Sequence, residues 1–374
     1  MAGQNVPPHS AAAELADILN SAEIARLVAE LQATRWTGRP GYPIRAMVGM
    51  ALVKSLYAIP TWSRTASLVA EHAALQAALG CAPSVYACYR FATKLRAYTS
   101  LLDACLDRVV ASLHAENPGM GQHVAIDASD MPAYANGQRY VSKGGRERAL
   151  SEYSDPDASW GHRSAVSTRK GGGFYGYKID MAVCADTGLP IAWDVRTASV
   201  NESTAVASLL DSLAARGFDV DTCAMDKGYD FERVYSECED RDVRPIIPLR
   251  QTTAVARGDH RPPTCEHGDW RFAGSDVKRG AAKWRCPTGE CKPASRWIKA
   301  GRLHPLIPRD TLRWRKLYKG RGAVEREFGR LKHEWALSPL RVRQIERVRV
   351  HADLTILAKL ACALARKRAI QLAA

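Results

Sequence analysis

The sequence predicts an α/β fold in which helices flank a mixed sheet, with an all-α region before the sheet and a small cysteine-containing insert within it. Three patterns lead to this prediction. Residues 10–116 have apolar positions at helical spacing, residues 118–249 alternate short apolar runs with helical segments, and residues 250–310 are rich in Gly and Pro without a helical period. We therefore divide the chain into 1–117, 118–249, 250–310 and 311–374.

The all-α part contains two segments that resemble a helix-turn-helix unit. Ala73–Leu79 ends at Gly80, and Ser84 is placed to cap a second helix, Val85–Leu95. Three cations lie on or directly after the second helix: Arg90, Lys94 and Arg96. A plain helical bundle with solvated cations accounts for the same pattern, so both interpretations stay open.

Two short apolar runs in the second part each end in an aspartate. His123–Ile126 precedes Asp127, and Thr222–Met225 precedes Asp226. If the two runs are neighbouring parallel strands, both carboxylates emerge at the same edge of the sheet. A lone Asp after a strand is more often a turn former or a helix cap, so the pair has to be judged together with a third acid.

The other segments of this part predict the rest of the sheet. Tyr177–Cys184 and Pro190–Thr197 have the composition of strands and are joined by a Gly-containing turn, which indicates a hairpin. The polar, Gly- and Ser-rich residues 136–173 predict a mobile loop. Asp130 is interpreted as a loop residue or helix cap, and Asp230 as the cap of the helix that follows it.

The beginning of the C-terminal part carries the most informative charge pattern. If it forms a single helix, Tyr318, Arg321, Glu325 and Lys332 fall within an arc of about 60°. Glu327 projects about 160° away from Glu325 and is therefore predicted to lie outside any shared site. An apolar stripe beside the arc predicts the face that packs on the sheet: Leu317, Val324, Phe328, Leu331 and Trp335. An amphipathic helix with i,i+4 ion pairs is the plainer interpretation.

The positive charge of the chain is concentrated in its last fifth. Of 53 Lys and Arg residues, 20 lie in residues 296–374 beside 6 Asp and Glu, and the preceding 295 residues hold 33 of each. The net charge of +14 therefore comes entirely from this segment. A localised basic excess favours a polyanionic partner, and nucleic acid is the commonest one.

Three carboxylates, Asp127, Asp226 and Glu325, are predicted to meet if the apolar stripe packs at the sheet edge. Carboxylates that converge repel one another unless cations neutralise them, and hard oxygen ligands select Mg²⁺ or Mn²⁺. Two such ions can hold both the attacking and the leaving oxygen of an in-line phosphoryl displacement. The pattern therefore predicts metal-dependent phosphodiester chemistry.

These residues resemble those of bacterial insertion-sequence transposases of the DDE class. Tyr318, Arg321, Glu325 and Lys332 match the Tyr-x2-Arg-x3-Glu-x6-Lys signature of one branch at every spacing, and the two strand aspartates match the first two catalytic positions. The resemblance covers most of residues 20–365. It implies a ribonuclease H-like fold with Asp127, Asp226 and Glu325 as catalytic ligands of two Mg²⁺ ions.

The same resemblance implies partners and roles for the cations. Water would attack a phosphodiester at the end of the element, and the freed 3′-OH would then attack target DNA. Arg321 and Lys332 would hold phosphates, and Tyr318 would hydrogen-bond a phosphate or stack on a displaced base. The N-terminal helices, with Arg90, Lys94 and Arg96, would bind terminal inverted repeats in double-stranded DNA. Synapsis of two ends predicts a homodimer.

The insert has four residues that could bind one structural Zn²⁺. Cys265-x-His267 and Cys286-x4-Cys291 supply four nitrogen or sulfur ligands, although the spacing lacks a Cys-x2-Cys knuckle. An insert with reduced thiols and no metal is the alternative.

Composition bears on the compartment. The N-terminus lacks a basic segment followed by an apolar core, so we predict no signal peptide. The apolar runs fall short of the roughly 18 residues that a membrane span needs, and no membrane partner is expected. The ten scattered cysteines are typical of reduced thiols, which predicts a cytoplasmic, nucleoid-associated protein.

A DDE transposase is the leading hypothesis, and two others remain. The chain could be a catalytically inactive, domesticated DNA-binding descendant, although all three acids are present. It could also be a stand-alone ribonuclease H-fold nuclease, which would not need the helical N-terminal part.

Overall fold

The computed structural model describes residues 11–34, 41–135, 154–163 and 171–373. The described part before the sheet is helical, as predicted. Its helices are α1 (Ala11–Asn20), α2 (Ala22–Ala33), α3 (Ile44–Leu56), α4 (Trp62–Glu71), α5 (Ala73–Leu79), α6 (Val85–Ala97) and α7 (Thr99–Glu116). Helix α5 ends at Gly80, whose φ of 78° is accessible to Gly at little steric cost, and the Ser84 side chain accepts a hydrogen bond from the Ala87 N–H at the start of α6. The secondary structure of a helix-turn-helix is present, and its function stays a prediction.

A mixed sheet forms the centre of the molecule. Its strands are β1 (His123–Pro132), β2 (Ser159–Arg163), β3 (Gly172–Cys184), β4 (Pro190–Thr197), β5 (Thr222–Ala224) and β6 (Arg244–Ile246). The order across the sheet is β4-β3-β1-β5-β6, and β2 pairs with the first half of β3. β3 runs antiparallel to both β1 and β4, whereas β1, β5 and β6 are parallel to one another. The predicted hairpin is β3–β4, and the α/β class is confirmed.

Two predictions about this sheet are wrong. β1 does not end at Asp127 but continues to Pro132, so Asp130 is a strand residue that pairs with Lys178 and not a loop residue or helix cap. The predicted loop 136–173 contains strand β2 and the start of β3, because the Gly-rich strand β3 accepts β2 along its open edge. Residues 136–153 and 164–170 lie outside the described part.

Helices cover the sheet and join it to the N-terminal region. They are α8 (Val206–Ala215), α9 (Glu232–Glu239), α11 (Leu312–Lys319), α12 (Gly322–Glu334) and α13 (Ile345–Ala373), and α12 packs on β1 and β3. The predicted stripe is buried on α12 through Val324, Phe328 and Leu331, while Arg326 and Arg330 are exposed. One continuous core extends from Ala12 on α1 to Leu364 on α13. In the described part of the chain, no helix is both long and apolar enough to cross a membrane.

The single helix predicted for residues 318–332 is two helices. At the junction the Gly320 N–H donates to the Leu317 carbonyl at 3.0 Å, and the Arg321 N–H donates to the Tyr318 carbonyl at 3.1 Å. These are i→i−3 bonds, which wind the chain more tightly than an α-helix. Tyr318 therefore lies in the last turn of α11 and Arg321 at the start of α12, and residues three apart in such a turn share a face, so the Arg321 guanidinium lies 5.7 Å from the Tyr318 ring centroid.

The insert has more regular structure than its composition indicates. It contains α10 (Thr253–Arg257), a β7–β8 pair (Thr264–Cys265 and Gly268–Asp269) and a three-stranded sheet of β9 (Arg271–Asp276), β10 (Ala281–Arg285) and β11 (Ser295–Lys299). Trp270, Trp284 and Cys286 lie in a small core of its own.

Asp230 connects this insert to the sheet. Its buried carboxylate accepts two hydrogen bonds from Arg302, at 2.6 and 2.9 Å, and one from the Arg250 N–H. The cap prediction is wrong, because Phe231 occupies the N-cap position of α9. The Asp230 carboxylate is instead hydrogen-bonded to Arg302.

Candidate active site and cysteine cluster

Asp127 lies on β1, and Asp226 lies two residues past the end of the neighbouring parallel strand β5. The β1–β5 register pairs Ala125 with Ala224, and two further residues along each chain bring the two aspartates opposite one another. Adjacent strands in a sheet are about 4.8 Å apart. Asp226 also begins the tight turn Lys227–Tyr229, and its Oδ1 accepts the Gly228 N–H at 2.6 Å, which orients the carboxylate.

Two more acids surround this pair, and together with it they form what we call the carboxylate cluster: Asp127, Asp180, Glu202 and Asp226. Burial raises the pKa of Asp127 to about 7, and the charges of Asp226 and Glu202 act in the same direction. The pKa of Tyr229 is raised by burial and by the charges of all four carboxylates, so its hydroxyl lies within electrostatic range of each of them. That buried hydroxyl has no hydrogen-bond partner among the described residues.

The cluster is unevenly neutralised. Asp180 is ion-paired with Arg196 at 2.7 Å, and Lys178 donates to Glu202 at 2.7 Å. Within the described residues, no ion pair joins Asp127 or Asp226 to a Lys or Arg. Among the described residues, the two aspartates that the sequence singles out are therefore not ion-paired, although the charge of Arg321 acts on Asp127 from a longer distance.

Glu325 reaches the cluster through Arg321. It lies in the first turn of α12 with 54% of its side chain exposed, and it accepts a hydrogen bond of 2.8 Å from Arg321 Nη1. Burial lowers the pKa of Arg321, but the charges of Glu325 and Asp127 outweigh it and raise the pKa. Arg321 thus lies within electrostatic range of both carboxylates, between the helix and β1.

Tyr318 is held by aromatic packing. Its ring stacks on Trp314 with centroids 4.9 Å apart, and the Arg321 guanidinium lies 5.7 Å from the ring centroid. α11 positions this pair, because the Thr311 side chain caps the helix by accepting the Trp314 N–H.

Lys332 contacts Asp130, the acid that sequence reasoning set aside. Its Nζ donates to the Asp130 carbonyl at 2.6 Å and lies 3.5 Å from Oδ1, while Arg163 pairs with Oδ2 at 3.0 Å. Side chains alternate along a strand, so Asp130 points to the face of β1 opposite Asp127. Lys332 is thus paired with a strand acid outside the carboxylate cluster.

Sequence reasoning missed Asp180 and Glu202. Asp180 is a charged residue within the otherwise apolar run Tyr177–Cys184, and a charge in such a run is the signal that could have identified it. Glu202 begins a short 3₁₀ helix after β4 and carries no comparable signal, because only the fold brings its charge within range of Asp127.

The N-terminal cations differ in accessibility. Arg90 is exposed on α6, and Arg96 is partly buried and donates to Thr93 Oγ1 at 3.2 Å. Lys94 is buried, and its Nζ donates to the Leu31 carbonyl at 3.1 Å. Lys94 is thus directed into the helical core and away from the surface that a duplex could reach.

In the insert, three of the four candidate zinc ligands come together. The sulfur atoms of Cys265, Cys286 and Cys291 lie within 4.8 Å of one another. Burial works against ionisation of Cys286, but hydrogen bonds from Thr288 and Cys291 outweigh it and lower its pKa to about 5. His267 is not in the group, and its Nε2 lies 3.5 Å from a carboxylate oxygen of Glu290, the neighbour of Cys291.

A cluster of carboxylates at the central strands of a mixed sheet, one buried and three partly buried, defines a class of protein suited to metal-assisted chemistry. Family comparisons identify the class more closely. The transposase DDE domain model matches residues 118–360, and a model of a transposase domain named DUF772 matches residues 1–93. The first match covers more than half of the chain, so the chain belongs to the DDE transposase domain family. This family implies a ribonuclease H-like fold, with which the observed strand order agrees.

One solved structure is similar to this chain at low sequence identity. The chain is similar to the solved cryo-EM structure of a piggyBac transposase synaptic complex with hairpin DNA, at 12% identity and a TM-score of 0.43, with 96% of this chain and 75% of that chain covered. A likeness at this level does not support an assignment of fold or function. No curated protein sequence matches the chain.

Proposed function

We propose that this chain is the transposase of a bacterial insertion sequence and that it cuts and joins DNA strands at the carboxylate cluster. The observation that carries the proposal is the placement of Asp127 and Asp226 next to each other where β1 and β5 run parallel, with neither aspartate ion-paired to a Lys or Arg among the described residues. Membership of the DDE transposase domain family supports it independently.

The residues of the site fit a divalent cation. Carboxylates that lie close together repel one another, and burial already raises the pKa of Asp127, so a bound cation would stabilise the group. Asp127, Asp226 and Glu325 would hold Mg²⁺ or Mn²⁺, two ions according to the family resemblance. The bound metal would supply Lewis-acid polarisation of the scissile phosphate.

Neighbouring side chains would position the DNA. Arg321 already bonds Glu325, so an approaching phosphate can compete for its planar guanidinium. Because Trp314 stacks on the Tyr318 ring, we favour hydrogen bonding by the Tyr318 hydroxyl over base stacking. Lys332 would exchange its contact with Asp130 for a phosphate.

The proposed partners are the terminal inverted repeats and the target duplex, bound by a homodimer. Arg90 and Arg96 on α6 are our candidates for contacts with the repeats. Lys94 is left out, because its ammonium is buried against the Leu31 carbonyl.

The proposal is tested with purified protein, Mg²⁺ and a labelled duplex that carries terminal repeats. A transposase produces 3′-OH ends and joined products, a nuclease produces cleavage without joining, and an inactive descendant produces only a shifted band. We expect Glu325→Gln to abolish cleavage, by at least about 100-fold, while end binding persists.

Glu334→Gln is the matched control, because Glu334 is an exposed glutamate on the same helix. The control should cut like the wild type. If the Glu325→Gln protein cleaves DNA at the wild-type rate, Glu325 is not part of the site and the proposed mechanism is wrong.

We also propose that the insert binds one structural Zn²⁺. Cys265, Cys286 and Cys291 would supply three ligands, and His267 would supply the fourth by turning from Glu290. The small core around Trp270 and Trp284 is too limited to stabilise the insert by itself, which is the situation in which metals replace apolar burial.

Metal analysis of protein purified without chelators should give about one zinc per chain. Cys286→Ala should lose the zinc and make the insert sensitive to protease, whereas Cys81→Ala, a cysteine outside the cluster, should retain both properties. A wild-type protein that contains no zinc after growth in zinc-supplemented medium would rule out this site.

A further inference from the structure

A cleft of about 490 Å³ separates the N-terminal helices from the segment that joins α12 to α13. α3, α4 and α6 contribute one wall, and residues 341–354 contribute the other. The cleft does not include any member of the carboxylate cluster, and neither the sequence patterns nor the proposed catalytic site accounts for it.

The cleft is lined by cations without acids. Its basic residues are Lys54, Arg96, Arg341, Arg343 and Arg347, with His351 beside them. Among the described residues that line the cleft, none is Asp or Glu. The nearest acid whose charge reaches Arg96 is Glu346, which is exposed to solvent. Like charges at this density repel one another, so the arrangement is stabilised when an anion enters.

Lys54 is the most informative of these residues. Its side chain is buried, and its Nζ lies 3.4 Å from Nδ1 of His351, whose Nε2 lies 3.3 Å from the Leu337 carbonyl. This arrangement requires a neutral imidazole that accepts a hydrogen bond from the lysine and donates one to the carbonyl. Burial lowers the pKa of Lys54 to about 8 and the pKa of His351 to about 3. A buried ammonium without a carboxylate costs free energy, which indicates a role other than stability.

The arginines at the opening are held in place by an aromatic ring. The guanidinium groups of Arg341 and Arg343 each lie 5.2 Å from the ring centroid of Tyr134, and Arg343 Nε donates to the Tyr134 carbonyl at 2.7 Å. On α6, the exposed side chains of Tyr86 and Tyr89 lie close to Arg90 in the sequence. A guanidinium fixed in this way presents its remaining N–H groups to an anion with little loss of side-chain entropy.

We propose that this cleft binds the phosphodiester backbone of DNA, with Arg341 and Arg343 contacting phosphates at the opening and Lys54 contacting the phosphate that enters deepest. The inference rests on the proposed function for its ligand. Five cations on two walls exceed what one small phosphate requires and match a chain of phosphates that passes between them. The N-terminal helices and the catalytic sheet would then both contact the same DNA duplex.

The test compares the salt dependence of duplex binding among variants, measured by fluorescence anisotropy. Arg341→Ala combined with Arg343→Ala should weaken binding at least about tenfold and reduce the slope of log affinity against log salt by about two. The control, Arg26→Ala with Arg257→Ala, removes the same two charges from exposed positions that do not line the cleft. A cleft variant that matches this control overturns the proposal.

Lys54→Met tests the deep contact. If the ammonium serves phosphate binding and not stability, this variant should bind the duplex more weakly while its unfolding temperature is unchanged or higher. Unchanged duplex affinity would exclude Lys54 from the contact. If the unfolding temperature falls, the exposed arginine pair decides the question, because those residues are not part of the core.

Two further arms separate the possible ligands and the two proposals. Inorganic phosphate should displace the duplex no better than chloride at equal ionic strength, and specific displacement that the arginine variant abolishes would indicate a small-anion site instead. A wild-type protein that binds no DNA would contradict the proposed function itself. If the wild-type protein binds and cuts DNA, and the cleft variant has the same duplex affinity and salt slope as the control, only the proposal about the cleft is overturned.

Discussion

Two carboxylates buried in the described part of the chain, Asp230 and Glu23, differ from Asp127 in their partners. Asp230 and Glu23 are each bonded to an arginine from a distant part of the chain, Arg302 and Arg368 respectively. Asp127 has other carboxylates as its neighbours. An acid that is paired with a cation stabilises the fold, whereas an acid that is placed among acids costs stability and is typical of a functional site.

Glu23 allows the stabilising kind to be tested by pH. Burial would raise its pKa, but hydrogen bonds from Arg368 and Ser112 outweigh burial and lower the pKa from 4.5 to about 2. A lowered pKa means that the contribution of Glu23 is complete above pH 4.5 and is lost as the pH falls toward 2. Glu23→Gln should therefore reduce the free energy of unfolding at pH 7 by about 3 kcal/mol and flatten its pH dependence below pH 4.5.

Chemical denaturation at a series of pH values measures this effect. Glu71→Gln on α4 is the control, because Glu71 is exposed. Equal slopes for the Glu23 variant and the wild type below pH 4.5 would show that the Arg368 pair does not stabilise the fold.

Among the elements, the α11–α12 junction matters most for the candidate site. It packs closely against the β3–β4 hairpin, and a Cβ on Gly320 would lie 3.1 Å from the Ala185 Cβ and 3.0 Å from the Leu317 carbonyl oxygen. The tight i→i−3 bonds and this close approach together determine where α12 begins, and thus where Arg321 and Glu325 lie relative to β1.

Gly320→Val should destabilise the protein by about 1–3 kcal/mol and reduce DNA cleavage, because the junction has to move away from the hairpin. Gly329→Ala on the same helix is the matched control, since a Cβ there meets no atom within 4 Å. That control should stabilise the protein by about 0.5–1 kcal/mol, because Ala is the better helix former. Thermal unfolding and cleavage rates check both, and a Gly320→Val protein with wild-type values would mean that the junction tolerates displacement.

For the whole molecule, α13 is the connecting element. It packs on α3 and α7 of the N-terminal region and on β4 of the sheet, and near its end Arg366 and Arg368 pair with Glu14 and Glu116. The hydrophobic core is continuous through this helix. The boundary near residue 117 therefore separates two kinds of secondary structure and does not separate two cores.

The local patterns were enough to predict most helices before the sheet, the β3–β4 hairpin and one pair of the site, but not β2, the strands of the insert or the break between α11 and α12. Helices α3 to α7, the β3–β4 hairpin and the buried stripe of α12 follow from apolar periodicity and capping residues, because these signals act over a few neighbouring positions. The two apolar runs that end in Asp127 and Asp226 already indicated adjacent parallel strands. The spacing of Tyr318, Arg321, Glu325 and Lys332, taken together with the two strand aspartates, indicated the resemblance to DDE transposases, and the family match agrees with it.

Only the tertiary structure determined which charges are paired and which are buried. In the tertiary structure Lys332 contacts Asp130, and the Lys94 side chain points into the helical core. Asp180 and Glu202 join the carboxylate cluster only through the fold. It also brought together the two walls of the basic cleft, which are far apart in sequence. The reason is physical: the free energy of a charge depends on its solvent exposure and on its neighbours in space, and neither of these can be read from adjacent residues.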